Sequence, residues 1–416
     1  MKKIHLLLIL ILLSFSCHDE NPIIKFQKEL ISNEITGSNI AAVFQDDSLV
    51  YKHVINSGKM GDMDITDETI FPIWSMSKPI TTVAMMILKE QGLVDFQDPV
   101  HKYIPSFENL KCKGAQGVYP CNNTMRVVDL LTHRSGYTYY NEDGEYKFLN
   151  GQLSGMAKYS SSYRFNNLDD FAVAVSNQPL EFEPGSMYIY GINQAILGKV
   201  IESATGVSFY EYLKKNIFDK LGMNNTKFYL TKQERLKVQP LFVNFVANTP
   251  PWNPTDLNLK GFTRLLDEMS YDKDNRAHFG GEGLVSTFPD YMKFCNMLVN
   301  DGIYNGERVL SEESIDIMTS KYTEGYPNKN EPFLFPDQIG TYLGFTFYVI
   351  EDSEIEGTNS SIGTYGWSGY HNTHFWINPE KKRYGLFMSR SREFNFDIGK
   401  DSVSYTHLTL PTILLV

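Results

Sequence analysis

The chain has 416 residues, 42% hydrophobic and 21% charged, which is enough apolar side chain to bury a large core. It shows no low-complexity stretch and no internal repeat, and its formal net charge of -11 with no basic stripe argues against nucleic acid as a partner. No Walker glycine loop, dinucleotide fingerprint, His-Glu-x-x-His pair or Gly-x-Ser-x-Gly elbow occurs, so nucleotide-loop enzymes, Rossmann dehydrogenases, that class of metalloprotease and the α/β-hydrolases are disfavoured, and neither a metal nor an organic cofactor is implied.

In chain order, Met1-Lys2-Lys3 and the apolar run 4–15 read as a signal peptide over residues 1–17, too short to span a bilayer as a mature helix. Small residues precede Cys17, and His18-Asp19-Glu20-Asn21 follow it. This arrangement resembles the lipidation site of bacterial lipoproteins, with Ser14 where leucine is usual. The expectation is an exported protein held at the cell envelope through an acylated Cys17, the alternative being a cleaved periplasmic form. Residues 18–28 read as a linker and 29–400 as one catalytic unit. A first helix is expected over 26–35, and a hairpin over 40–44 and 49–55, joined at Gln45-Asp46-Asp47.

Ser75-Met76-Ser77-Lys78 is the most informative segment. Phe71-Pro72-Ile73-Trp74 leads in as extended chain, and Ile80, Ala84, Ile87 and Leu88 form an apolar stripe behind it. A helix beginning near Ser75 puts Lys78 one turn away on the same face, so its amine can reach the serine hydroxyl. A desolvated lysine can take the proton of such a hydroxyl and make it a nucleophile, and free N–H groups at the helix start suit an oxyanion. The competing reading of Ser75 is a helix cap. Ser270-Tyr271-Asp272-Lys273 has the same spacing but stands among Asp267, Glu268 and Asp274 with no amphipathic run behind it, and reads as a solvated loop.

Further along, Cys112 and Cys121 close a short loop and are expected to form a disulfide in an oxidising compartment, leaving Cys295 as a buried thiol in a helix. His133 reads as a hydrogen-bonded structural residue. Tyr190 follows a Pro-Gly turn and precedes the helical run Ala195, Ile196, Leu197, Val200 and Ile201, a junction where a phenol can enter a cleft and exchange protons beside an ammonium. Tyr188 is its nearest rival, whereas Tyr326-Pro327-Asn328 and Tyr370-His371-Asn372 come too late in the chain. His371 and His374 would point to opposite faces of a strand, which disfavours a metal pair. The middle of the chain reads as mainly helical, with loops at 139–162 and 249–258. Strands follow at 342–350, 364–377 and 384–389, with a turn at Asn378-Pro379-Glu380-Lys381. The fold class is α+β: an antiparallel sheet flanked by helices plus an all-helical lobe, the site lying in the crevice between.

Several of these segments together resemble the serine β-lactamase and penicillin-binding-protein superfamily. Ser75-Met76-Ser77-Lys78 is similar to its Ser-x-x-Lys motif. Leu130-Leu131-Thr132-His133-Arg134-Ser135-Gly136 and Glu183-Pro184-Gly185-Ser186-Met187-Tyr188-Ile189-Tyr190 resemble stretches of the class C and esterase branch. Gly281-Glu282-Gly283-Leu284-Val285-Ser286-Thr287 resembles that branch's glycine-rich turn, and Gly366-Trp367-Ser368-Gly369 falls where a Lys-Thr-Gly strand is expected. The resemblance runs in order from about residue 29 to about 388. It implies a catalytic set of Ser75, Lys78 and Tyr190, an oxyanion hole from the N–H groups of Ser75 and Tyr370, and substrate contacts from Trp367, Ser368 and Gly369.

Two departures bear on substrate. Ile192 stands where asparagine is usual, and Trp367 replaces the strand lysine, removing a cation that would bind a carboxylate at about 1.5–3 kcal/mol. The resemblance is therefore closest to esterases of the β-lactamase fold, and the expected substrate is a small ester, amide or cell-wall-derived molecule. The alternatives are a β-lactamase, a D-alanyl-D-alanine carboxypeptidase or D-aminopeptidase, and a non-catalytic cell-wall binding or sensing protein. Residues 401–416 are rich in β-branched side chains and carry Pro411, where the family runs into a terminal helix, and read as an atypical, non-native tail.

Overall fold

The computed structural model describes residues 21–139, 147–149, 152–154, 165–243, 261–264, 270–322, 340–358, 360–392 and 398–399. The expected signal peptide over 1–17 with Cys17, most of the expected 139–162 loop, the expected 249–258 loop and residues 401–416, read as an atypical tail, lie outside these residues. Among the described residues, no helix is long and apolar enough to cross a membrane.

Seven antiparallel strands form the main sheet, in the order Thr341–Leu343, Tyr348–Ile350, Tyr365–Gly369, Thr373–Asn378, Arg383–Met388, Asn39–Gln45 and Ser48–Ile55. The late strands thus return to the first hairpin, with Ile40 opposite Met388 and Ala42 opposite Leu386. Alternation sorts side chains between two faces. Ile40, Ala42, Phe375 and Ile377 enter the large core, while Ala41 and Phe387 pack with Ile23, Phe26 and Leu30 of the helix Pro22–Ser32. Ile398 joins that outer cluster. The opposite face is covered by the helix Phe288–Val299, whose Tyr291 ring lies 5.5 Å from Phe375. Cys295 is a buried free thiol in that helix.

The second lobe is built around the helix Asn193–Thr205, which packs on Val127–Leu131, Leu168–Ser176, Phe209–Leu213 and the helix Ser77–Glu90. Twelve consecutive side chains of the last helix, Ser77 to Leu88, are buried because it lies inside the large core, packed on the helices Asn193–Thr205, Phe209–Leu213 and Glu312–Thr319. The result is an α+β architecture, as the order of elements implies.

Several boundaries differ from the sequence reading. The first helix spans Pro22–Ser32, begun by the side chain of Asn21 accepting from Ile23 N–H, a cap placed before the first apolar turn. The expected strands over 342–350 and 364–377 are each two strands. Apolar residues continue through the first tight turn, Leu343-Gly344-Phe345-Thr346-Phe347, while the second carries Gly369 and Asn372 inside a run otherwise read as strand; Thr346 and Asn372 take positive φ of 61° and 62°. A short hairpin, Lys147–Leu149 with Gln152–Ser154, lies within the expected 139–162 loop.

Candidate active site

Ser75 sits in a single 3₁₀ turn, Trp74–Met76, that feeds directly into the helix Ser77–Glu90. Trp74 carries a φ of 47°, a left-handed conformation that costs a buried aromatic residue roughly 1–3 kcal/mol. Its indole is fixed by an Nε1–H bond to His371 Nδ1 at 3.1 Å and an edge contact with Tyr370 at 5.4 Å, so the segment after the strand Tyr365–Gly369 anchors the turn presenting Ser75. Ser75 is partly exposed between buried neighbours.

Lys78 lies one turn on, with Nζ 3.0 Å from Ser75 Oγ. Its side chain is fully buried, and it donates to the carbonyl of Gly281 at 2.8 Å. Burial pushes its pKa down to about 7, against the opposing pull of Glu282. The amine is therefore poised to exist neutral near physiological pH. Tyr190 comes from the segment before the helix Asn193–Thr205, and its hydroxyl donates to Ser75 Oγ at 2.8 Å while its ring stands 4.7 Å from Lys78 Nζ. Tyr188 instead packs beside His133, the ring centroids 5.9 Å apart. Gly191 lets Tyr190 reach this position, since a Cβ there would stand 2.0 Å from the carbonyl of Tyr137.

His133 is buried and hydrogen-bonded through Nδ1 to Asn193 Nδ2 at 2.7 Å and to Gly191 N–H at 3.3 Å. Burial, helped by the nearby Lys78, holds it neutral, well below the usual histidine range. Its ring packs against that of Tyr190, tilted by 37° with the centroids 4.8 Å apart, so it buttresses that phenol.

The glycine-rich turn is stapled to the start of the Ser75 helix. Ile73 N–H donates to Leu284 O at 3.1 Å, Leu284 N–H to Ser77 Oγ at 3.2 Å, and Thr81 Oγ1 to Gly280 O at 2.7 Å. This brings in two groups that motif reading missed. Glu282 lies 3.9 Å from Lys78 Nζ and accepts from the Tyr139 hydroxyl at 3.0 Å. A charged residue inside an otherwise apolar glycine turn was the available signal, because such a side chain is buried only against a partner.

On the opposite side, the strand Tyr365–Gly369 ends against Ile73. A Cβ at Gly369 would stand 2.3 Å from Ile73 O, so the absence of a side chain permits that approach and brings the Tyr370 backbone beside the Ser75 turn. Trp367 is only 6% exposed, and its ring lies 6.0 Å from that of Tyr190, so it is core and site wall together. Ser368, partly exposed, bonds His374 Nδ1 at 2.8 Å. Burial lowers His374 to about 3, keeping it neutral. His371 and His374 thus serve Trp74 and Ser368 respectively.

Cys112 and Cys121 are joined in a disulfide. Asn122 and Asn123 N–H groups, next in the chain, both donate to the carboxylate of Glu183 at 2.9 and 3.0 Å, bracing the segment that leads to Tyr190. Cys112, Cys121 and Glu183 are also the one potential metal-ligand trio among the described residues, and two of its donors are spent in the disulfide.

Ser270 does not join the site. It lies in a non-helical turn where Oγ accepts from Asp272 N–H at 3.2 Å. The solvated-loop reading is corrected in part: Asp272, Lys273 and Asp274 are exposed, but Ser270 and Tyr271 are 4% and 1% exposed, because the loop packs its first two residues inward.

Residues 32–404 match the Beta-lactamase family. The chain belongs to that family. Its relatives include the lovastatin esterase of Penicillium rubens, 26% identical over 295 residues covering 67% of this chain and 68% of that one. A putative D-alanyl-D-alanine carboxypeptidase of Salmonella typhimurium is 26% identical over 265 residues, covering 62% of this chain and 57% of the other. Among solved structures, EstCE1, a hydrolase with promiscuous acyltransferase activity, superposes with a TM-score of 0.70 at 18% identity, covering 92% and 97% of the two chains. The chain therefore has the β-lactamase/penicillin-binding-protein fold and sits in a family of hydrolases and acyltransferases with esterase-type and carboxypeptidase-type members.

Proposed function

We propose that the protein is a serine hydrolase that forms an acyl-enzyme on Ser75 and acts on uncharged esters. The observation that carries this reading is the convergence of Lys78 Nζ and Tyr190 OH on Ser75 Oγ, at 3.0 and 2.8 Å, beside a strand whose end is neutral. Ser75 Oγ attacks the carbonyl carbon as its proton passes to neutral Lys78. The N–H groups of Ser75 and Tyr370 hold the oxyanion. Tyr190 relays a proton to the departing alkoxide, and water repeats the sequence to free the acid.

The neutral amine is the base, so the rate should rise with pH through about 7, where Lys78 loses its proton. The site wall formed by Trp367 and Tyr190 favours apolar acyl or alcohol groups, whereas a β-lactam or a peptide ending in D-alanine brings a carboxylate that this strand leaves without a cation. Export is part of the proposal. It rests on residues 1–17 and is supported by the Cys112–Cys121 bond, of a kind that persists in oxidising compartments.

The test is competitive labelling of the purified protein with a fluorophosphonate and a fluorescent penicillin, alongside turnover of a p-nitrophenyl ester and a chromogenic cephalosporin. Fluorophosphonate labelling with ester turnover supports the reading. Penicillin labelling with cephalosporin turnover and no ester hydrolysis would overturn it in favour of a β-lactamase or D-alanyl peptidase.

A further inference from the structure

Glu282 stands in a turn otherwise made of Gly280, Gly281, Gly283 and Leu284, and its side chain is 3% exposed. Oε2 faces Lys78 Nζ at 3.9 Å and accepts from Tyr139 OH at 3.0 Å, while Oε1 is buried with no hydrogen-bond partner among the described residues. A carboxyl buried with one oxygen unsatisfied weakens a fold unless its charge is used. Lys78 does not need it as a hydrogen-bond acceptor, since Gly281 O already fills that place at 2.8 Å. What the carboxyl adds is charge.

We propose that Glu282 is the counter-charge of Lys78, a positioning residue that acts through this amine to set the pH above which Ser75 becomes a nucleophile. The inference rests on the Ser75–Lys78–Tyr190 reading given above. During acylation the Ser75 O–H bond breaks as the Oγ–acyl bond forms, the proton moves to Nζ, and the Glu282 carboxylate holds the new ammonium until the proton leaves with the alkoxide. The groups facing Nζ are Ser75 from its own turn, Tyr190 at 4.7 Å from ring centroid to nitrogen, Tyr139 at 5.3 Å on the same measure, and Glu282. His133 lies close enough to feel the lysine charge and is held neutral by burial. Glu282 is the one carboxyl in this set. Burial raises its pKa, Lys78 and the Tyr139 bond pull it back toward ionisation, and its charge in turn raises Lys78.

Removing that charge lowers the pKa of Lys78, so the acidic limb of the rate moves to lower pH. The experiment is the pH dependence of kcat/KM for a p-nitrophenyl ester, and of the single-turnover fluorophosphonate labelling rate, in wild type, Glu282→Gln, Tyr139→Phe and Ser75→Ala. Glu282→Gln should shift the acidic limb down by about one pH unit or more. Tyr139→Phe should shift it the same way by less, because the carboxylate loses the bond that favours its ionised form. Packing alone would lower the rate at every pH and leave the limb in place. A limb that stays or moves up in folded Glu282→Gln, with Ser75→Ala inactive, overturns the proposal and leaves the Ser75 reading standing. If Glu282→Gln does not fold, the Tyr139→Phe limb decides by the same sign. Activity persisting in Ser75→Ala would instead remove the reading on which the proposal rests.

Discussion

Ser75-Met76-Ser77-Lys78 and Ser270-Tyr271-Asp272-Lys273 share one spacing and have opposite surroundings. In the first, a 3₁₀ turn running into a helix stacks residue i+3 over residue i, and a fully buried amine meets the partly exposed Ser75 hydroxyl, to which Tyr190 also donates. In the second there is no helical turn, Tyr271 takes a φ of 48°, and the Lys273 side chain leaves for solvent while Ser270 turns inward to cap its own backbone. Spacing alone therefore supplies no chemistry. A helical turn, desolvation of the amine and a third group arriving from far along the chain convert it into a candidate nucleophile.

The largest expected effect tests that contrast outright. Ser75→Ala should abolish fluorophosphonate labelling and lower ester hydrolysis by about three orders of magnitude or more, whereas Ser270→Ala should change turnover less than about twofold. Lys78→Ala should lose nearly as much as Ser75→Ala, and the double variant little more, because groups acting as one unit are not additive. Tyr190→Phe should lower kcat by about 10²–10⁴ while Tyr188→Phe stays within a few-fold; the reverse order in steady-state kinetics would exchange the two tyrosines.

Gly369→Ala sharpens the comparison from the strand side. Its Cβ would press on Ile73 O and displace the following Tyr370 backbone, whose N–H is the proposed second oxyanion donor, so kcat should fall about tenfold or more with the circular dichroism spectrum unchanged. The smallest effect is a shift of preference. Trp367→Lys should weaken ester hydrolysis and improve cephalosporin binding by up to about 1.5–3 kcal/mol, measured as KM or inhibition constants. No gain in carboxylate binding would show that strand charge does not set substrate choice.

Much of this arrangement is legible in the chain because it is local. The Ser75 helix follows from its apolar stripe, the first hairpin from alternation, and the 112–121 disulfide from a short closed loop. What stays hidden depends on distant approach. Glu282 is 204 positions from Lys78 and Tyr139 is 143 from Glu282, and no local period records either contact. The strained Trp74 is invisible for the same reason, since His371, which fixes its indole, comes 297 residues later. The turn at Thr346 stays hidden because apolar residues continue across it, whereas Gly369 and Asn372 are visible turn residues within the expected 364–377 strand.

Mass spectrometry of the protein after fluorophosphonate treatment, with peptide mapping of the adduct, tests the central claim most directly. The account predicts a single adduct on Ser75 in the wild type, forming faster as pH rises through about 7, and none in Ser75→Ala. An adduct on Ser270 or another residue, or ester turnover undiminished in Ser75→Ala, would contradict it.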